Sequence, residues 1–154
     1  MNARIVFDEK RCTNCHLCSM FCSLNFAKDG IVEFRPSIAR VRVVENEDDT
    51  QYVAHVCLQC EDPHCATACP IEAITKDPLT GIVIINEEEC TGCETCVEAC
   101  EFGCIFMVDG KAVKCEVCDD PLCVRACAVK ALQVVEGDEY VVAELGELYE
   151  EVPL

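Results

Sequence analysis

CTNCHLCSMFC, residues 12 to 22, spaces four cysteines as C-x2-C-x2-C-x3-C, and CTGCETCVEAC, residues 90 to 100, repeats that spacing. A second spacing, C-x2-C-x4-C-x3-C, stands at CLQCEDPHCATAC, residues 57 to 69, and again at CEVCDDPLCVRAC, residues 115 to 127. The order along the chain is short, long, short, long, which marks an internally duplicated unit. Run one is Cys12, Cys15, Cys18, Cys22; run two is Cys57, Cys60, Cys65, Cys69; run three is Cys90, Cys93, Cys96, Cys100; run four is Cys115, Cys118, Cys123, Cys127. The remaining cysteine of the 17, Cys104 in EFGCIFMV, belongs to no run and reads as a buried apolar filler.

Three thiolates two residues apart can converge only if the chain wraps around a compact multi-iron core. A single tetrahedral zinc takes cysteine pairs separated by a longer loop and would leave the third thiolate without a role. The short spacing followed by proline is the mark of bacterial [4Fe–4S] ferredoxins, in which the fourth cysteine serves the other cluster of a pair. Here the residue after the fourth cysteine is Ser23, Pro70, Glu101 or Ala128, so only run two keeps the proline. Its loss elsewhere restores an N–H that could donate to a sulfur. Four runs supply the ligands for four clusters, which would add about −8 to the charge of the chain.

That chain is already acidic, with a formal net charge of −17 over 154 residues. Nucleic acid, which calls for clustered Lys and Arg, is excluded as a partner. An acidic surface fits docking on a basic one. No uncharged apolar run approaches the roughly 18 residues of a membrane span, so direct membrane insertion is not expected. A disulfide scaffold would need an oxidising compartment, and MNARIVFDEKRC reaches its first cysteine without the features of an export signal. The expectation is a cytoplasmic protein with reduced thiols. Trp is absent and aromatics are few, so the organic core is thin and metal binding supplies much of the folding free energy.

Between the runs, alternating apolar segments flank turn signals. RVRVV and QYVAHV around ENEDD, AIT and IVIIN around DPLTG, CIFMV and KAVK around Asp109-Gly110, and LQVV and YVVA around EGDE all read as hairpins. The residues between third and fourth cysteines (SMF, ATA, VEA, VRA) suit short helical turns. Asp62-Pro63 and Asp120-Pro121 recur in the long loops and are expected to shape them. His16 and His64 each neighbour a cysteine and read as loop residues. Spacing leaves the pairing of runs open. Two with three and one with four gives one compact unit and one closed across the whole chain; one with two and three with four follows the duplication.

All four runs, in this order, resemble the four-cluster ferredoxin-like electron-transfer subunits of molybdenum, tungsten, nickel and hydrogen-metabolising enzymes of anaerobic metabolism. The resemblance covers about residues 3 to 143. It implies an α+β fold of two pseudo-repeated bacterial-ferredoxin-like units, short hairpins and short helices built around four [4Fe–4S] clusters. It also implies the ligand sets: Cys12, Cys15, Cys18 and Cys127; Cys115, Cys118, Cys123 and Cys22; Cys57, Cys60, Cys65 and Cys100; Cys90, Cys93, Cys96 and Cys69. One compact chain would then hold unit A, from about 1–35 plus 101–143, unit B, from about 50–100, and an acidic tail at 144–154. The implied role is non-catalytic: passing single electrons between a large catalytic oxidoreductase subunit and a carrier or a flavin- or ferredoxin-linked redox subunit. The small size is most similar to the small subunit of a tungsten aldehyde oxidoreductase. The alternatives are a free-standing low-potential polyferredoxin, or the corresponding subunit of a hydrogenase, formate dehydrogenase or CO dehydrogenase.

Overall fold

The structure, a computed structural model, describes residues 3–27, 34–45 and 52–136. Its strands run only three to five residues, because cysteine loops interrupt the chain before longer elements can form. They pair as two-stranded antiparallel ribbons. Three ribbons are the expected hairpins: β2 (Arg42–Glu45) with β3 (Tyr52–His55), β4 (Ile74–Lys76) with β5 (Val83–Ile85), and β6 (Phe106–Val108) with β7 (Lys111–Val113). The last turns on Asp109 (φ 49°) and Gly110 (φ 76°), two successive positive φ values, as a tight hairpin requires. Most of ENEDD, from residue 46 onward, lies outside the described residues.

The fourth ribbon departs from expectation. LQVV belongs to β8 (Leu132–Glu136), and its described partner is β1 (Ala3–Phe7), in register Ile5↔Val134. YVVA, its expected partner, and the acidic tail lie outside the described residues. This long-range pairing buries Ile5, Val6 and Leu132, all apolar. This ribbon carries the start of the chain to run four.

Helices sit where the third-to-fourth cysteine spacers are. α1 (Leu17–Asn25) packs on α4 (Leu122–Arg125), and α2 (His64–Ala68) packs on α3 (Thr95–Glu98). Runs one and four are therefore neighbours, as are runs two and three. Two buried cores accompany these pairs. In one, Ile5, Val41, Val43, Val56 and Leu132 surround Cys18, Cys22, Cys57, Cys104, Cys115 and Cys123. In the other, Ile74, Val83, Ile85, Ile105 and Ala112 surround Cys96, so hairpin β6–β7 leans on β4–β5. Half of the twelve buried members of the first core are cysteine, which is the thin organic interior expected from composition. No helix among the described residues is long and apolar enough to cross a membrane.

Ile5→Ala should remove about 2–5 kcal/mol through the cavity it leaves and release the visible chromophore at lower denaturant. Val134→Ala, at an exposed position of the same ribbon, should leave that midpoint within about 0.5 kcal/mol.

Candidate metal centres

Each cysteine run opens with the same bend. The second residue between its first two cysteines has positive φ: Asn14 53°, Gln59 53°, Gly92 73° and Val117 51°. An L-residue there costs roughly 1–2 kcal/mol, and β-branched Val117 is the most strained of the four. The bend turns main-chain N–H groups inward: Asn14 N donates to Cys12 Sγ at 3.4 Å. Short runs bend again at His16 (φ 56°) and Glu94 (φ 63°), the residues that cap α1 and α3. In the long runs Pro63 and Pro121 hold the cap and start α2 and α4. Their carbonyls accept from Ala66 and Val124, both at 2.9 Å. The acidic-proline pairs thus shape the loops, as expected, and Asp120 adds a 2.6 Å ion pair to Arg125.

A third bend follows the fourth cysteine, at Glu72 (φ 55°), Gly103 (φ 59°) and Lys130 (φ 53°). It folds the chain back over sulfur. Ala131 N donates to Cys127 Sγ at 3.1 Å, and Cys104 N to Cys100 Sγ at 3.4 Å. These N–H groups add to the one that the missing proline restores next to the fourth cysteine. They stand three residues further on, where the left-handed turn aims them. Arg40 N reaches Cys22 Sγ at 3.2 Å and Ala112 N reaches Cys90 Sγ at 3.5 Å, each from a segment outside the run it serves.

All seventeen cysteines are free thiols. Cys18 lies within electrostatic reach of Cys127 and Cys12, and Cys22 of Cys118. Cys123 feels Cys22, Cys115 and Cys118. Cys60 and Cys65 both feel Cys57 and Cys100, while Cys96 feels Cys90, Cys69 and Cys93. A cavity of about 610 Å³ is lined by Cys60, Cys65 and Cys100. Another is lined by Cys69, Cys90, Cys93 and Cys96. Among the described residues no three His, Cys, Asp or Glu side chains close on a point that could hold a single ion; the thiols ring a volume instead. Cys115 also feels Cys57, so runs two and four meet inside the molecule, whereas Cys15 and Cys93 are exposed.

Burial dominates the titration of these thiols. It pushes Cys18 and Cys65 up to about 11 and Cys115 up to about 12, and it raises Cys22, Cys60, Cys96 and Cys123 as well. Thiolates in this interior need a cationic core to stabilise them, and loading it must displace protons. Cys93, lowered by the hydroxyl and N–H of Thr95, and Cys100 are exceptions. The Cys104 thiol, opposed by burial and helped by the backbone N–H groups of Cys104, Phe102 and Gly103, lowers Cys100 to about 5. Cys104 itself is 4 % exposed and has Val56 O and Phe102 O within 3.2 Å of its sulfur. Its one proton thus has three acceptors in reach, and the residue is more than apolar filler. It occupies the place that Ala73 and Ala131 hold after the matching bends.

His16 is exposed, and His64 stands 3.9 Å from Glu101, tying run two to run three. Three buried cations were not expected: Arg4, Arg40 and Lys114. Arg40 pairs with Glu87 and, at 2.7 Å, with Glu116. Lys114 is fully buried beside Gln59. KAVKC reads as the end of a hairpin, and only comparison of the two long runs, where Val56 occupies the matching place, sets Lys114 apart.

Thiols that ring cavities, receive main-chain N–H bonds and are shielded from water form a donor set that fits iron–sulfur cores and gives a single hard ion no place. The class is thus a cysteine-ligated iron–sulfur protein. The family model described as "4Fe-4S dicluster domain" matches residues 48–137, more than half of the chain, and the chain belongs to that family. It is 34% identical over 150 residues to Escherichia coli YsaA, whose name is that of an electron transport protein, covering 90% of this chain and 93% of that one. It is 37% identical over 140 residues to the polyferredoxin-like subunit of aliphatic sulfonate oxidoreductase from Pyrococcus furiosus, covering 87% and 78%. Formate hydrogenlyase subunit 2 of Escherichia coli is 30% identical over 179 residues, with 90% and 84% covered.

At Gly92, where φ is positive, a Cβ would overlap the carbonyl oxygen of Gly110, whereas a Cβ at Gly110 meets nothing within 4 Å. Gly92→Ala should therefore lower the iron content of the purified protein, while Gly110→Ala should keep full iron and lose only about 1–2 kcal/mol of stability.

Proposed function

We propose that the chain is an electron-transfer subunit carrying single electrons through four [4Fe–4S] clusters to or from a catalytic oxidoreductase subunit. The observation that carries this reading is the grouping of thiols within electrostatic reach of one another: Cys12 and Cys18 with Cys127, Cys115, Cys118 and Cys123 with Cys22, Cys57, Cys60 and Cys65 with Cys100, and Cys90, Cys93 and Cys96 with Cys69. The ligand sets are Cys12, Cys15, Cys18 and Cys127; Cys115, Cys118, Cys123 and Cys22; Cys57, Cys60, Cys65 and Cys100; Cys90, Cys93, Cys96 and Cys69. A first unit is built on β1, β8, α1 and α4, and a second on β4, β5, α2 and α3, with β6–β7 against the second.

When bound, each cluster supplies a one-electron couple without bond chemistry. The residues of the chain do the rest. Main-chain N–H groups at Arg40, Cys104, Ala112 and Ala131 hold negative charge on sulfur. Buried Val41, Val56 and Val83 exclude water, and the contact of Cys115 with Cys57 joins the two units. Exposed Cys15 and Cys93 lie in different units and give the path two ends. Two ends suit a subunit wired between partners better than a diffusing carrier, which needs one exposed site. The preferred partner, on the resemblance in sequence, is the catalytic subunit of a tungsten aldehyde oxidoreductase.

Anaerobically purified protein should contain sixteen iron atoms per chain, four for each proposed cluster. Cys127→Ala should lose the signal of the cluster held by Cys12, Cys15 and Cys18 while keeping that of Cys115, Cys118 and Cys123. Eight irons, or loss of the run-four signal instead, would count against the assignment. Isolation from the source cells should yield a complex with a large tungsten- or molybdenum-containing chain; a lone 17.0 kDa donor would favour the free polyferredoxin.

A further inference from the structure

Lys114 is the largest fully buried side chain of the described residues. Its Nζ donates to Val83 O, to Cys115 O at 3.0 Å and towards Gln59 Oε1 at 3.5 Å. All three partners are uncharged oxygens. The ion pairs among the described residues take in Asp8, Glu87, Glu101, Glu116 and Asp120, and none of them involves Lys114. An ammonium buried without an anion is costly enough to be replaced or neutralised. The negative charge within its reach is on sulfur. Lys114 adjoins Cys115 in the chain, and its charge is felt by Cys60 and Cys65.

The polar pair also breaks the repeat on one side only. Gln59 lies between Cys57 and Cys60, where run four has Val117; Lys114 precedes Cys115, where run two has Val56. Gln59 locks the arrangement by donating to Cys115 O at 2.8 Å and accepting from Val83 N at 2.9 Å. Lys114 therefore stands at the junction of runs two and four with no counterpart at the matching positions, while a second buried cation, Arg4 of β1, lines the cavity of Cys60, Cys65 and Cys100.

We propose that Lys114 is a fixed counter-charge at the junction of the two units, raising the reduction potential of the cluster held by Cys57, Cys60, Cys65 and Cys100 above those of the outer clusters. Opposite charge beside a cluster stabilises its reduced, more negative state. An electron on the chain then rests at the centre, between the two exposed ends. The inference rests on the four-cluster reading.

The test is an EPR-monitored redox titration of the anaerobic holoprotein, with iron counted in every sample. Cys100→Ser identifies the relevant signal by altering it. In Lys114→Met that signal should titrate at lower potential, with the signals of the outer clusters unmoved. Lys114→Gln retains an N–H donor for Val83 O and loses only the charge, so it should shift the same signal in the same direction; it is the reporter if Lys114→Met does not load. An unmoved midpoint in a fully loaded variant, or a wild-type midpoint in Lys114→Gln beside a lowered one in Lys114→Met, overturns the counter-charge. Fewer than four clusters in the wild type would instead overturn the reading on which it rests.

Discussion

Thiolates placed in a nearly dry interior are unstable unless something positive is put among them. Burial raises the thiols of Cys18 and Cys65 to about 11 and that of Cys115 to about 12, and half of one core is cysteine. Short ribbons and short helices with so little hydrocarbon between them cannot offset the entropy of ordering the chain. The inorganic core is therefore a structural necessity before it is an electron carrier. Folding and metal loading are one process in such a protein.

That requirement explains the backbone. Positive φ recurs at one position of every run and again after three of the four runs, in Gln, Val, Glu and Lys as well as in Gly and Asn. Such strain persists only where the surroundings over-determine it. Here it turns N–H groups toward sulfur, and the donors to Cys22 and Cys90 come from neighbouring segments, so each run is finished by chain from elsewhere. The helix pairs α1–α4 and α2–α3 bring the fourth cysteine of one run to the thiols of another. Cys57 and Cys115 stand where the two pairs meet.

Cysteine spacing is a strong signal because ligation tolerates little variation, and it made the four runs, the cap prolines Pro63 and Pro121 and the short helices legible from the residues alone. Three hairpins were equally plain, since each has its turn signal between its strands. The β1–β8 ribbon was not, because its strands are far apart in sequence and no turn joins them; a nearer candidate, YVVA, took its place in the local pattern. The bends at Gln59 and Val117 were hidden for the opposite reason: nothing in those side chains favours positive φ. Lys114 reads as a surface lysine, and only burial among carbonyl oxygens reveals it. Cys104 counted as surplus until its N–H and thiol were found on Cys100. In each case the missing information is tertiary.

The account turns on where the iron sits and whose sulfur reaches it. An anomalous difference map at the iron edge, from crystals grown without oxygen, tests this directly. The expected map has four compact peaks in one row, each touched by three cysteines of one run and one of another, with Cys57 and Cys115 on the two middle peaks. Two peaks, or peaks whose four cysteines all come from a single run, would contradict it.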